Sequence, residues 1–202
     1  MAKGSAPTMT KREIKADGKR LFDAYRATPS KATQDAIDSA NLEVQADVLR
    51  RAMKRHDWAI KKALANPDKG RHSVGVMALG GGWPYSLPAR LLNRRVPLMD
   101  IDLINFIEPL TRSRLIDPSF DAVWFSTYLR YLNKRHATGQ ALPAELIEPL
   151  KIVRGFVRTT GWQAKDGRKL KASINETIKL IKKPPAETEQ RTPSRKKTRK
   201  AK

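Results

Sequence analysis

The sequence predicts a mainly α-helical fold: a small multi-helix domain over residues 10–183, flanked by a flexible N-terminal arm (1–9) and a disordered basic C-terminal tail (184–202). Three observations carry this expectation. Apolar residues recur at helical spacing along most of the chain, helix-start signals precede nearly every such run, and strand-like alternation is confined to one short stretch.

Taken in order, Thr10 and Glu13 form a capping box ahead of Ile14, Leu21 and Tyr25, which predicts a helix over 11–27 with Gly18 on its apolar face. Pro29-Ser30 breaks it. Ser30 caps a segment that runs to Ala65, as one long helix or as two meeting near Asn41, and closes at Asn66-Pro67-Asp68-Lys69-Gly70. Val74, Val76 and Ala78 then alternate like a short strand, and Gly80-Gly81-Gly82 ends regular structure. Ser86 caps a short helix over 87–95, and Asp100 caps another to about Glu108, after which Pro109 starts a new turn. Asp117-Pro118 places an acceptor at a cap and proline at the first helical position. The helix it opens carries Phe120, Val123, Trp124, Tyr128, Tyr131 and Leu132 and stops at Gly139. Pro143 opens the next, through Val157. Asp166-Gly167 is a favoured tight-turn pair and predicts a short β-hairpin near 162–171. A second capping box, Ser173 with Glu176, then starts a final helix to Lys183. Ile107-Glu108-Pro109-Leu110 recurs as 147–150, but the flanks do not extend the match, so no repeat is inferred.

The chain has no cysteine, which excludes a disulfide scaffold, a thiolate metal site and a Cys nucleophile. Its longest apolar stretches fall far short of the roughly 20 residues that span a bilayer, and MAKGSAPTMTKREIK lacks the apolar middle of a secretory signal. The expectation is an intracellular protein of cytoplasm or nucleoid, or a virion component if it is a coat subunit.

Charge is the strongest signal. Lys plus Arg number 41 against 20 Asp plus Glu, and 14 basic but only four acidic residues fall in 164–202. From Pro184 the chain reads PPAETEQRTPSRKKTRKAK, without a large apolar residue to offset the entropy of ordering it. A tail kept soluble by charge need not be of one sign, whereas Arg195, Lys196, Lys197, Arg199 and Lys200 form an almost purely cationic run suited to a polyphosphate.

On the helix predicted around 42–65, Arg50, Arg51, Lys54, Arg55, Lys61 and Lys62 share one arc of about 140°. Leu42, Leu49, Met53, Ile60 and Leu64 lie opposite, with His56 at their edge as a core histidine. Trp58 falls within the cationic arc. There it suits stacking on an exposed base, or packing on a neighbouring helix, or cover by the arginine stems beside it. Glu43 and Asp47 stand one or two turns earlier, where they can pair with Arg50 and Arg51. Smaller cationic groups occur at Arg94-Arg95, Lys134-Arg135, Arg154 with Arg158, Arg168-Lys169 with Lys171, and Lys182-Lys183. Taken singly, each reads as a solvated helix end whose charge suits the dipole; together, with no comparable acidic cluster to balance them, Arg168, Lys169, Lys171, Lys182 and Lys183 are expected to contact nucleic acid. Trp162 is a second aromatic candidate for stacking. No zinc-finger ligand set, RNP signature or GXXG loop in a suitable setting is present, so contact with DNA or RNA is expected to run through phosphates with weak sequence preference.

No histidine has a neighbour at metal-ligand spacing, and neither a Gly-x-Ser-x-Gly elbow nor a Walker loop occurs. Gly80-Gly81-Gly82 followed by Asp100-Ile101-Asp102-Leu103 resembles the core signature of the nucleotidyltransferase superfamily. The resemblance covers about 25 residues. It implies a glycine turn that holds a triphosphate and an Asp-x-Asp pair, Asp100 and Asp102, that holds magnesium from one face of a strand. The same aspartates read equally as a helix cap and a first-turn acid. The sequence thus leads to non-catalytic nucleic-acid binding without a cofactor. Its alternatives are a self-assembling viral or phage coat subunit, hence a homo-oligomer, and a magnesium-dependent nucleotidyltransferase-like enzyme.

Overall fold

The computed structural model describes residues 9–65, 86–113, 121–157 and 164–183. They are mainly helical, and no strand occurs among them. Helix α1 (Lys11–Ala27) starts on the expected capping box. The Thr10 hydroxyl accepts the Glu13 N–H at 3.2 Å, and the Glu13 carboxylate accepts the Thr10 N–H at 2.7 Å. These bonds hold the Glu13 carboxyl below its usual range. Met9, assigned by its sequence to the free arm, packs partly buried against the core; residues 1–8 lie outside the described residues.

The segment after Ser30 is two helices, α2 (Lys31–Ser39) and α3 (Leu42–Ala65). The break follows from side chains that serve the backbone better there than a continuous helix would. Asn41 Oδ1 accepts the Glu43 N–H at 2.8 Å, and the buried Gln45 amide donates to the carbonyls of Asp38 and Ala40 at 3.0 and 2.7 Å. Gly18, buried on α1, faces α3: a Cβ at that position would lie 2.2 Å from Asp47 Oδ2 and 2.8 Å from Asp47 Cβ. Glycine therefore sets how closely the two helices approach.

Helix α4 (Ser86–Asn93) ends in a left-handed residue, Arg95, with φ 57°, whose N–H reaches the Leu92 carbonyl at 3.1 Å. Helix α5 (Asp100–Ser113) corrects the expectation that Pro109 starts a new turn, because the proline lies inside it. Burial of Phe106, Ile107 and Leu110 around Pro109 outweighs the missing backbone bond. Helix α6 (Asp121–Ala137) stops as expected: Gly139 has φ 84°, its N–H meets the His136 carbonyl, and the Gln140 N–H meets that of Arg135. This is a Schellman end. A 3₁₀ turn over Ala144–Leu146 leads into α7 (Ile147–Phe156).

Helix α8 (Ala164–Ile181) corrects two further expectations. Residues 164–171 are helical instead of forming a hairpin, and Asp166-Gly167 falls in the first turn. The buried stripe of Leu170, Ile174, Thr177 and Ile178, continued by the buried Gly167, has helical period and decides the local structure over the turn pair. Ser173 and Glu176 are mid-helix, with the Ser173 carbonyl accepting from Thr177 Oγ1 at 3.0 Å, so they cap nothing. The expectations for Asn66–Gly70, the 74–78 strand, Gly80–Gly82, the Asp117-Pro118 cap with Phe120, Arg158, Trp162 and the 184–202 tail fall outside the described residues.

Helix α3 is packed by α1, α2, α4 and α5; α6 lies against α4 and α8, and α7 joins α5 to α8. The two Ile-Glu-Pro-Leu segments thus belong to helices that pack together, one mid-helix and one at a helix start. Trp124, Tyr25, Tyr128 and Phe125 are among the largest fully buried side chains. Two tyrosines of α6 also tie the core to the 96–103 segment. The Tyr128 hydroxyl donates to the Leu103 carbonyl at 2.7 Å and the Tyr131 hydroxyl to that of Val96 at 2.8 Å. Burial raises the pKa of both phenols, so both hydroxyls stay protonated donors at neutral pH.

Candidate nucleic-acid interface

The cationic arc expected on α3 exists, but the fold neutralises part of it. Arg50 turns to α5, with Nε 3.0 and 2.9 Å from the two oxygens of Asp102. Arg51 pairs with Asp47 at 2.7 Å, as the helical spacing predicts, and also donates to the Lys15 carbonyl at 3.1 Å, which fastens α1 to α3. Lys61 meets Asp57 at 2.8 Å, and Asp57 also accepts from Arg112 of α5. Burial opposes ionisation of Asp57, yet these two cations prevail and hold its carboxyl below the usual carboxylate range.

What this arc presents to solvent centres on Trp58, which is 39% exposed. The Arg55 guanidinium lies over its ring at 3.6 Å, and Lys62 Nζ is 5.7 Å from the ring centroid. Arg55 Nε is buried without a hydrogen-bond acceptor; burial first and the charge of Arg26 second lower its pKa. Lys54 is exposed and pairs with no described carboxylate. Trp58 is therefore neither swallowed by a neighbouring helix nor a bare platform. It is an exposed indole with a guanidinium laid on it.

The other expected contacts are dispersed. On α8, Arg168 and Lys169 are exposed and Lys171 half-buried, with Lys169 Nζ 4.0 Å from Asp166. Lys182 and Lys183 are exposed just beyond the end of α8. Trp162, Arg195, Lys196, Lys197, Arg199 and Lys200 are outside the described residues.

Asp100 and Asp102 correct the reading that sets them side by side on a strand. Both lie in the first turn of α5, where residues two apart point in different directions. Asp102 is buried and bound to Arg50, and it also accepts the Met99 N–H at 3.0 Å. Asp100 is exposed and takes a hydrogen bond from Arg135 at 2.5 Å. Each carboxylate has its own arginine, and the capping bond comes from Asp102 and not, as expected, from Asp100, which is the first residue of the helix itself. Among the described residues no group of three or more His, Asp or Glu could hold a metal ion, and no helix is long and apolar enough to cross a membrane.

Packing of α4 on α6 brings together two basic pairs that the sequence keeps apart. Arg95, from the left-handed turn after α4, and Arg130, Lys134 and Arg135, from α6, line a concave pocket of about 300 Å³. Leu92, Pro97 and Leu98 supply apolar lining, and Thr127, Thr138 and Gln140 polar groups; no Asp or Glu lines it among the described residues. Arg130 donates to Thr127 Oγ1 at 2.8 Å, and Arg135 donates to the Leu98 carbonyl at 3.1 Å while its Nε is buried without an acceptor. Arg94, next to Arg95, points elsewhere, donating to the Asp38 carbonyl at 2.7 Å. Sequence reasoning read these residues as two separate helix ends. The signal available to it was that both helices end in arginine or lysine, but not that the ends meet.

Comparison of the chain with protein-family models, with curated proteins and with solved structures returns no match in any of the three.

Proposed function

We propose that this chain is a non-catalytic nucleic-acid-binding protein that engages the phosphate backbone of DNA or RNA with weak sequence preference. The observation that carries the reading is the size of the charge excess. If every one of the 20 carboxylates neutralised a different cation, 21 of the 41 would still lack a partner within the chain. Release of condensed counterions from a polyphosphate is the favourable use for such a surplus. Lys54, Arg55 and Lys62, grouped around Trp58, supply a surface on α3 where phosphates and an exposed base can be met together. Arg168, Lys169, Lys171, Lys182 and Lys183, with the cationic residues beyond Pro184, extend the contact. The chemistry asks for no metal and no cofactor.

The test is binding of single- and double-stranded oligonucleotides by the full chain across a salt series. Affinity is expected to fall on the order of a thousandfold or more between 50 and 200 mM salt if about six or more phosphates are neutralised. Deletion of 184–202 is expected to flatten that dependence. Failure to bind any oligonucleotide at low ionic strength overturns the reading.

A further inference from the structure

We propose that the pocket between the α4 turn and α6 is a phosphomonoester site, which takes the terminal phosphate of a nucleotide, either free or at the end of a strand. This goes beyond backbone binding and does not depend on it.

The charge balance around the pocket identifies the ligand class. Two helix C-termini converge here, those of α4 and α6, and each carries roughly half a negative charge. Cations at such ends ordinarily do no more than complement the dipole. Four line this pocket, however, and Asp100 accounts for only one of them, Arg135. Arg95, Arg130 and Lys134 pair with no described carboxylate. Three free cations set against two half charges leave a surplus of about two positive charges. A phosphodiester carries one negative charge, whereas a phosphomonoester carries about 1.5 to 2 at pH 7. The monoester is the better match.

Shape agrees with charge. A volume of about 300 Å³ is at the lower bound of small-molecule sites and suits a single nucleotide unit. The exposed Pro97 offers an apolar surface for a sugar or base edge, while the guanidinium groups of Arg95 and Arg130 can bind phosphate oxygens bidentately. The backbone supplies a third observation: Arg95 holds a left-handed conformation that residues other than glycine, asparagine and aspartate rarely adopt. Glycine would satisfy that turn without strain, but it would bring no cation to the pocket.

The experiment compares, at fixed ionic strength, AMP with adenosine, and a 5′-phosphorylated with a 5′-hydroxyl oligonucleotide of the same sequence. The proteins are the full chain, the double variant R130Q/K134Q, and R95G, with helicity and melting of each recorded. AMP is expected to bind at least about tenfold more tightly than adenosine, and each variant is expected to lose that preference while remaining folded. A preference confined to AMP assigns the pocket to free nucleotides; one shared by the phosphorylated strand assigns it to strand ends. No preference for either phosphorylated ligand overturns the proposal, as does a preference that survives in both variants. Salt-sensitive binding of the 5′-hydroxyl strand in either of those cases leaves backbone binding standing, so the two readings fail separately.

Discussion

Arg50 and Asp102 stand 52 residues apart and are bound through one nitrogen, the arginine Nε, which lies within 3.0 Å of both carboxylate oxygens. The same carboxylate accepts the Met99 N–H and so satisfies an orphan donor at the start of α5. One aspartate thereby caps a helix and fastens it to α3. A carboxylate engaged in this way is a structural element, and the arginine it holds is withdrawn from the surface that would face a phosphate.

Asp102→Ala is therefore expected to destabilise the fold by about 1–3 kcal/mol, since it strands a partly buried guanidinium and uncaps α5. Nucleic-acid affinity of the folded variant should hold or rise slightly, because Arg50 is released. Chemical denaturation checks the first part and oligonucleotide titration the second. A variant as stable as the parent would remove Asp102 from both structural roles.

Two glycines in helices should respond in opposite directions to the same substitution. Gly18→Ala drives a methyl group into Asp47, whose carboxylate is already fixed by Arg51, and overpacking of this kind costs roughly 1–3 kcal/mol. At Gly155 in α7 a Cβ meets nothing within 4 Å, so Gly155→Ala should stabilise by about 0.5–1 kcal/mol through helix propensity alone. Thermal melts of the two variants against the parent decide both.

Local grammar was legible in the sequence wherever a short-range contact settled the outcome. The Thr10–Glu13 start, the Ser30 cap and the Gly139 stop are set within a few residues, and the structure has them where the sequence puts them. Expectations failed where tertiary burial outweighed a local signal. Pro109 sits in a helix held by Phe106, Ile107 and Leu110, and Asp166-Gly167 sits in one held by Leu170 and Ile174. The candidate interface was half legible. Helical spacing placed six cations and Trp58 on one face of α3, but it could not show that Asp102 takes Arg50. It had equally little means of showing that Arg95 and Lys134 share a pocket, because neither distance is a property of one helix.

Asp57 predicts an acid-dependent contribution to stability. Its carboxyl titrates below the unfolded value, near 3.9, because Lys61 and Arg112 favour the charged form. The contribution is therefore complete above about pH 4 to 5 and is lost as pH falls through the depressed folded value. Lys61 is largely exposed and Arg112 more than a third exposed, so screening limits it to about 1 kcal/mol or less. In melts of the parent and Asp57→Asn, the gap should stay constant from pH 6 to 8 and close below pH 4. A gap that widens on acidification contradicts the assignment.

Trp58 offers a way to separate stacking from charge. Trp58→Ala removes the surface on which Arg55 rests but no cation, so the slope of log affinity against log salt should be unchanged. Affinity for single strands should drop by roughly 1–3 kcal/mol per stacked base, with little loss on duplex. Lys54→Glu should do the reverse, lowering the slope for both forms by about one or two counterions. Equal losses on single and double strands after Trp58→Ala would assign the indole to holding Arg55 in place and not to reading bases.

Arg95 yields the last prediction, on stability in the absence of any ligand. A left-handed conformation costs an L-residue about 1–2 kcal/mol, and glycine removes that cost while returning part of it as unfolded-chain entropy. Arg95→Gly should thus melt higher than the parent by the equivalent of about 0.5–1 kcal/mol. Arg95→Ala keeps the strain and should gain nothing from the backbone, though it relieves the same like-charge crowding beside Arg130 and Lys134. The difference between the two variants isolates the strain from the charge. If the glycine and alanine variants melt together, the arginine is held there without conformational cost, and its φ of 57° is no sign of selection for a cation at that position.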